Sequence, residues 1–198
     1  MTTAMSLDWN LVRRGVADAF RSSLHCSVAT LNEDGSPHLT PIGSVLLTEV
    51  GRGIYFEIFT TQLARNLERD PRLEVMAVHG GKGFWLSALA RGRFSRPPGF
   101  RLSGRAGPRR PATAEEQRRW RRTVRRLRRL RGHDMLWGQL THVRDLGFDA
   151  VTPVRVGALT AHLPSSTASF VSPARHSEAV PRSCSISGNS TLVRSNSV

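Results

Sequence analysis

The chain has 198 residues, with 29 Lys or Arg against 15 Asp or Glu, a net charge of +14 at pH 7 and 39% apolar residues. That length and apolar content suit one domain with a core of its own, and no run approaches the 18 apolar residues of a membrane span. The charge is local: residues 91–131 hold 16 Arg against Glu115 and Glu116, and the remainder sums to zero, which argues against a nucleic-acid footprint over the whole surface.

In chain order, Asp8 is placed to cap a helix over roughly 9–21, whose Trp9, Val12, Val16 and Phe20 recur at helical spacing. His25–Leu31 reads as a strand, Asn32–Pro37 as a turn with Gly35 at the positive-φ position, and His38–Thr48 as the partner strand of a β-hairpin. Pro41 and Gly43 interrupt that second strand. They fit an edge strand or bulge, and they also fit a flat ligand lying against the backbone.

Gly51-Arg52-Gly53 turns the chain into a strand over 54–59, followed by a short helix over 61–69 and another strand over 72–79. The helix begins at Thr60-Thr61 and is stopped by Pro71. Its open start offers unpaired N–H groups and a positive dipole end, which suit a phosphate. Residues 84–96 and 100–106 are expected as two further strands around Pro97-Pro98-Gly99, although Phe84–Leu89 also fits a helix by periodicity, and Gly80-Gly81-Lys82-Gly83 is expected as a hairpin turn. Thr113 and Glu116 form a capping box at the head of an Arg-rich helix running to about Arg131, where Gly132 stops it. A second helical stretch follows near Met135–Leu140, and a last strand is expected around Val154–His162. The domain is read as 1–164, and the Ser-rich remainder, 165–198, as a disordered tail or a read-through end.

The two cysteines, Cys26 and Cys184, are far apart and form no CxxC pair, and the N-terminus carries no apolar leader core. A soluble, cytoplasmic protein is expected. The histidines show no metal-ligand spacing and no Ser–His–Asp arrangement is evident, so neither a metal site nor a triad is expected. His133-Asp134 and Trp137 are weak candidates for a substrate pocket.

The runs Val28-Ala29-Thr30-Leu31, Asp34-Gly35-Ser36-Pro37-His38 and Ala64-Arg65-Asn66-Leu67-Glu68-Arg69-Asp70-Pro71-Arg72-Leu73 resemble the flavin-binding split β-barrel family that includes pyridoxamine 5′-phosphate oxidase. The likeness is good over roughly 22–80 and looser to 162. It implies an α+β fold, mainly β: a six-stranded split barrel with an N-terminal helix and the Arg-rich helix added. It also implies a homodimer with flavin mononucleotide (FMN) or a deazaflavin at its interface. Carried onto this chain, the ring contacts are Thr40, Pro41, Ile42, Gly43 and Ser44, and the phosphate contacts are Thr60, Thr61, Gln62, Arg65 and Asn66. Many members carry basic residues where this chain has Gln62 and Leu63. Gln62 can only hydrogen-bond and Leu63 offers nothing polar, so Arg65 must supply the charge.

The implied activity is flavin- or deazaflavin-dependent oxidoreduction on an unknown small molecule, with no side chain assignable as acid or base. Pyridoxamine phosphate oxidation itself is disfavoured, because its C-terminal substrate signature is not visible. A non-catalytic cofactor-binding protein on the same fold is one alternative. A nucleic-acid-binding module using the Arg-rich helix 114–131 is another, although Trp120 falls on the helix's apolar stripe with Val124, Leu127 and Leu130 and no aromatics interleave with the arginines. Those arginines alternatively meet an anionic cofactor tail or an anionic substrate, or form a solvated face balanced by carboxylates elsewhere in the fold.

Overall fold

The computed structural model describes residues 8–165 and 167–170. Helix α1 spans Trp9–Ser23; the Asp8 side chain accepts from the Asn10 N–H, and Trp9, Val12, Val16, Ala19 and Phe20 are buried. Strands β1 (Cys26–Leu31) and β2 (Pro37–Ile42) form the expected hairpin, with Gly35 at φ 80° in its turn. The expected long second strand is in fact two. It breaks at Gly43-Ser44, and β3 (Val45–Leu47) pairs instead with β4 (Arg52–Phe56). Helix α2 (Thr61–Arg69) and strand β5 (Arg72–Val78) lie where the sequence places them.

The next segment differs from expectation. Residues 82–91 form helix α3 (Lys82–Arg91), not a strand, and Gly81 is its N-cap rather than part of a hairpin turn. The run Phe84–Leu89 is apolar on every face. Only Ala88 is buried, whereas Leu86 and Leu89 are exposed, so no single face marks its period. Strand β6 spans Gly99–Pro111, longer than expected.

The Arg-rich helix is shorter than its sequence pattern. Helix α4 covers Ala114–Thr123 behind the capping box, and a 3₁₀ turn at 125–127 replaces the run to Arg131. Trp120 and Val124 are buried, but Leu130 is exposed, so the apolar stripe runs out of core to cover. Arginines at i, i+3 and i+4 repel each other along the same stretch.

Helix α5 covers His133–Trp137. The last long strand, β7, spans His142–Pro153 rather than 154–162, where residues 157–160 make a 3₁₀ turn. A two-residue strand, β8 (Ala168–Ser169), pairs with β7. The segment read as a tail lies outside the described residues from 171 onward.

The strand order is β2-β1-β5-β6-β7-β4-β3, all neighbours antiparallel, with β8 beside β7. Its two ends, β2 and β3, are joined through only Gly43-Ser44, so the sheet must curl until they meet. The result is a mixed α+β split barrel with eight strands where six were expected. Against the seven strands read in chain order, the break in the second strand and β8 add two and helix α3 removes one. One apolar cluster packs α1 against the sheet; the second packs Phe56 and Val143 against Trp120, Val124 and Trp137. Strand β4 is buried on both faces: Tyr55 enters the first cluster, Ile54 and Phe56 the second.

Candidate functional site

The closure of the barrel creates the site. At the crossover the Ser44 hydroxyl donates to the Phe56 carbonyl at 2.8 Å, and Phe56 N–H donates to the Ser44 carbonyl at 3.3 Å. Trp137 Nε1–H donates to the Gly43 carbonyl at 3.2 Å. A Cβ on Gly43 would stand 3.0 Å from the Leu24 carbonyl oxygen, so the end of α1 already presses on this backbone. That close approach explains the glycine without a ligand.

After β4, Glu57 N–H still bonds the His142 carbonyl, and then the chain leaves the sheet. Phe59 sits at φ 57° and is 80% exposed, an unfavourable backbone region for an aromatic residue that displays its ring to solvent. Thr60 follows as the N-cap of α2, but its side chain makes no capping bond. Its Oγ1 is buried and has no hydrogen-bond partner among the described residues. A buried hydroxyl left unmade costs on the order of 1–3 kcal/mol.

Crossover and N-cap face one another across a cavity of about 330 Å³, lined by Thr40, Pro41, Ile42, Gly43 and Ser44 on one side and Ile58, Phe59 and Thr60 on another. Leu24, His25, Leu136 and Trp137 complete the wall. Its size falls in the range of small-molecule sites, and the wall is mostly apolar with few polar atoms. No Asp, Glu, Lys or Arg lines it. His25 Nδ1–H donates to the Ser23 carbonyl at 2.8 Å, which leaves Nε2 as the free ring nitrogen.

Six of the ten residues singled out from sequence therefore share one cavity, and four do not line it. Thr61 and Arg65 are exposed on α2. Gln62 and Asn66 turn towards β1: Asn66 Nδ2 donates to Thr30 Oγ1 and Asn32 Oδ1, both at 3.1 Å, and Gln62 Nε2 donates to Asn66 Oδ1 at 3.0 Å. Asn66 is fully buried and ties α2 to the hairpin. Trp137 does line the cavity; His133 stacks on it edge-on at 5.5 Å without reaching the wall. Ile58, Phe59 and Leu136 were missed because apolar lining residues look like core in a sequence.

Behind this loop lies a charged cluster with no local sequence signature. Arg144 Nε is 2.6 Å from Glu57 Oε2, Arg109 Nε is 2.9 Å from Glu57 Oε1, and Arg144 Nη2 is 3.2 Å from Glu68 Oε1. Glu57 and Arg109 also line a second cavity of about 370 Å³ with Ile58, Phe59 and Asp134, so Ile58 and Phe59 belong to both walls.

Residues 14–147 match the family model described as pyridoxamine 5′-phosphate oxidase. An FMN-binding protein from Syntrophomonas wolfei subsp. wolfei is similar in fold, with a TM-score of 0.51 at 10% identity over 75% of this chain and 89% of that one. HupZ of Group A Streptococcus gives a TM-score of 0.48 at 18% identity, covering 74% of this chain and 96% of that one. A heme binding protein from Mycobacterium smegmatis also gives 0.48, at 19% identity over 80% of this chain and 57% of that one. No curated protein matches the chain.

Proposed function

The chain belongs to the pyridoxamine 5′-phosphate oxidase family, and from that premise we propose that the cavity between Thr40–Ser44 and Thr60 binds FMN or a deazaflavin. The observation that carries this reading is the buried, unpartnered Thr60 Oγ1 at the start of α2. A phosphate oxygen would accept from that hydroxyl and from the first N–H groups of the helix, with the dipole end favouring its charge. Ile42, Gly43, Ser44, Ile58 and Trp137 would hold the cofactor's ring portion. The mostly apolar wall and the orphaned Thr60 hydroxyl suit such a group. The wall supplies no cation, which leaves the helix start and the exposed Arg65 to meet the phosphate charge.

When bound, such a cofactor supplies hydride chemistry, and the protein supplies orientation and exclusion of water. We assign an oxidoreductase role on this basis, with a cofactor-binding protein without turnover as the alternative. Leu24, Leu39, Phe59, Met135 and Leu136 are all exposed. Three of them line this cavity, and we infer that a second copy covers this face to make a homodimer.

The test is titration of purified protein with FMN and with a deazaflavin, followed by absorbance and fluorescence. Thr60→Val keeps the side-chain shape and removes the orphaned hydroxyl. It should weaken binding by about 1 kcal/mol, roughly fivefold, while leaving the free protein as stable or slightly more so. Arg65→Ala should cost about 1.5–3 kcal/mol if the guanidinium reaches the phosphate. Absence of binding by either cofactor at high micromolar concentration overturns the reading. Turnover of reduced cofactor with candidate acceptors separates enzyme from binding protein.

A further inference from the structure

We propose that the arginine strip running from α4 through the following 3₁₀ turn is a sequence-independent binding surface for a nucleic-acid phosphate backbone. Arg118, Arg119, Arg121, Arg122, Arg125, Arg126, Arg128, Arg129 and Arg131 are all exposed. None makes a side-chain ion pair or hydrogen bond among the described residues. Elsewhere in the fold, arginines at 21, 72, 96, 101, 109, 110 and 144 are paired with carboxylates. Beyond Arg119, which shares a pocket with carboxylates, these residues have no acidic partner among the described residues, so carboxylates of the fold do not balance most of the strip.

The acidic residues nearest in sequence are already engaged or stand to one side. Glu116 is held by Arg110 at 2.7 Å and closes the capping box with Thr113. Glu49, Glu115, Glu116 and Asp145 gather around Arg119 at the start of α4, and they bound the basic strip at that end. From there on, the strip is uniformly positive. A groove of about 620 Å³ is lined by Arg13 and Arg14 of α1 together with Arg119 and Thr123, with Asp8 the one carboxylate on its wall, so basic residues of a second helix adjoin the strip.

The chemistry of the strip selects among polyanions. Trp120 and Val124 are buried, and Leu130, at the far end, is 60% exposed. An anionic membrane surface calls for apolar residues among the charges, whereas a phosphate backbone calls for charge alone. The guanidinium fork matches phosphate oxygens in pairs. No aromatic side chain is exposed between 118 and 131, and Tyr55, the chain's one tyrosine, is buried; base stacking is not on offer and binding would be blind to sequence. A contact set of about four or five phosphates, fewer than the nine arginines of the strip, is expected.

The experiment uses the full-length protein with a fluorescein-labelled oligothymidine and a random duplex, each of about 20 nucleotides per strand, with fluorescence anisotropy as the readout. With four or five contacts, affinity should fall about 150- to 500-fold for the duplex and about 50- to 130-fold for oligothymidine between 50 and 200 mM salt. The triple variant Arg121→Glu/Arg125→Glu/Arg128→Glu should lose more than tenfold in affinity and reduce the salt slope by about three. Arg91→Glu/Arg93→Glu, two exposed residues off the strip, should change affinity less than threefold. If the triple variant fails to fold by circular dichroism, the corresponding Gln triple, which only removes repulsion, replaces it. Absence of binding at 50 mM salt, an effect of the control equal to that of the triple, or binding to phosphatidylserine vesicles in place of both nucleic acids overturns the proposal.

Discussion

Arg144 is the position at which one substitution should expose the logic of the site. Its side chain is 2% exposed, and its guanidinium makes one short bond to Glu57 and a longer one to Glu68. Arg144→Met keeps most of the volume, so the cost is electrostatic. Removing one partner of a buried pair leaves the other charge stranded, typically at about 3–5 kcal/mol. Two features place this case at the low end. Glu57 keeps Arg109, and the Glu68 side chain is 65% exposed, so that arm contributes little. The expected loss is about 3 kcal/mol in urea unfolding, or a fall in Tm of about 6–12 °C. The double variant Arg144→Met/Glu57→Gln removes the stranded charge as well and should recover more than half of that loss. If the single variant costs under about 1 kcal/mol, or if the two substitutions add without recovery, the pair is solvated and the reasoning fails.

Two shorter predictions concern the core. Gly15→Ala in α1 should destabilise by about 1–2 kcal/mol, although Ala is the better helix former, because the new methyl would overlap the buried Phe100 ring; a rise in melting temperature would refute this, and adding Phe100→Leu should relieve it. Burial pushes the Cys26 thiol up to about 12 from an ordinary value of 9.0. In a Cys184→Ser background no thiol should react with an aromatic disulfide reagent at pH 8 until urea is added. Because the folded value is the higher one, the stability linked to this thiol is complete below about pH 9 and is lost as pH rises towards 12, which urea midpoints across that interval would track.

What the sequence discloses follows from how local each signal is. Asp8, Gly35 and the Thr113–Glu116 box act within a few residues, and each marks its helix end or turn correctly. The run Phe84–Leu89 fits a helix as well as a strand by periodicity, and contacts such as Trp85 Nε1–H to the His79 carbonyl at 2.6 Å decide for the helix. Strand β7 was hidden because Arg144 and Asp145 interrupt its apolar residues; Arg144 is buried only because Glu57, far away in sequence, waits for it. The candidate site divides in the same way. Thr40–Ser44 and Thr60 meet in one cavity, yet Asn66 and Gln62 turn inward to Thr30 and Asn32, a choice made by tertiary packing. Leu136 and Trp137 reach the wall only once α5 has folded back over the crossover.

The pairing of β4 also dictates when the cavity can exist during synthesis. Strand β4 pairs only with β3 and β7, with Tyr55 opposite Arg144 and Phe56 opposite Val143. On the ribosome, everything through β6 emerges while β4, paired to β3, still lacks β7, and the long β6 stays an open edge in the meantime. Only when residues 142–153 appear can β7 bridge β6 to β4 and the Glu57 N–H reach the His142 carbonyl; the Ser44–Phe56 and Trp137–Gly43 bonds join residues made earlier. The candidate cavity is therefore completed late, and a nascent chain halted before His142 lacks the strand that closes the sheet.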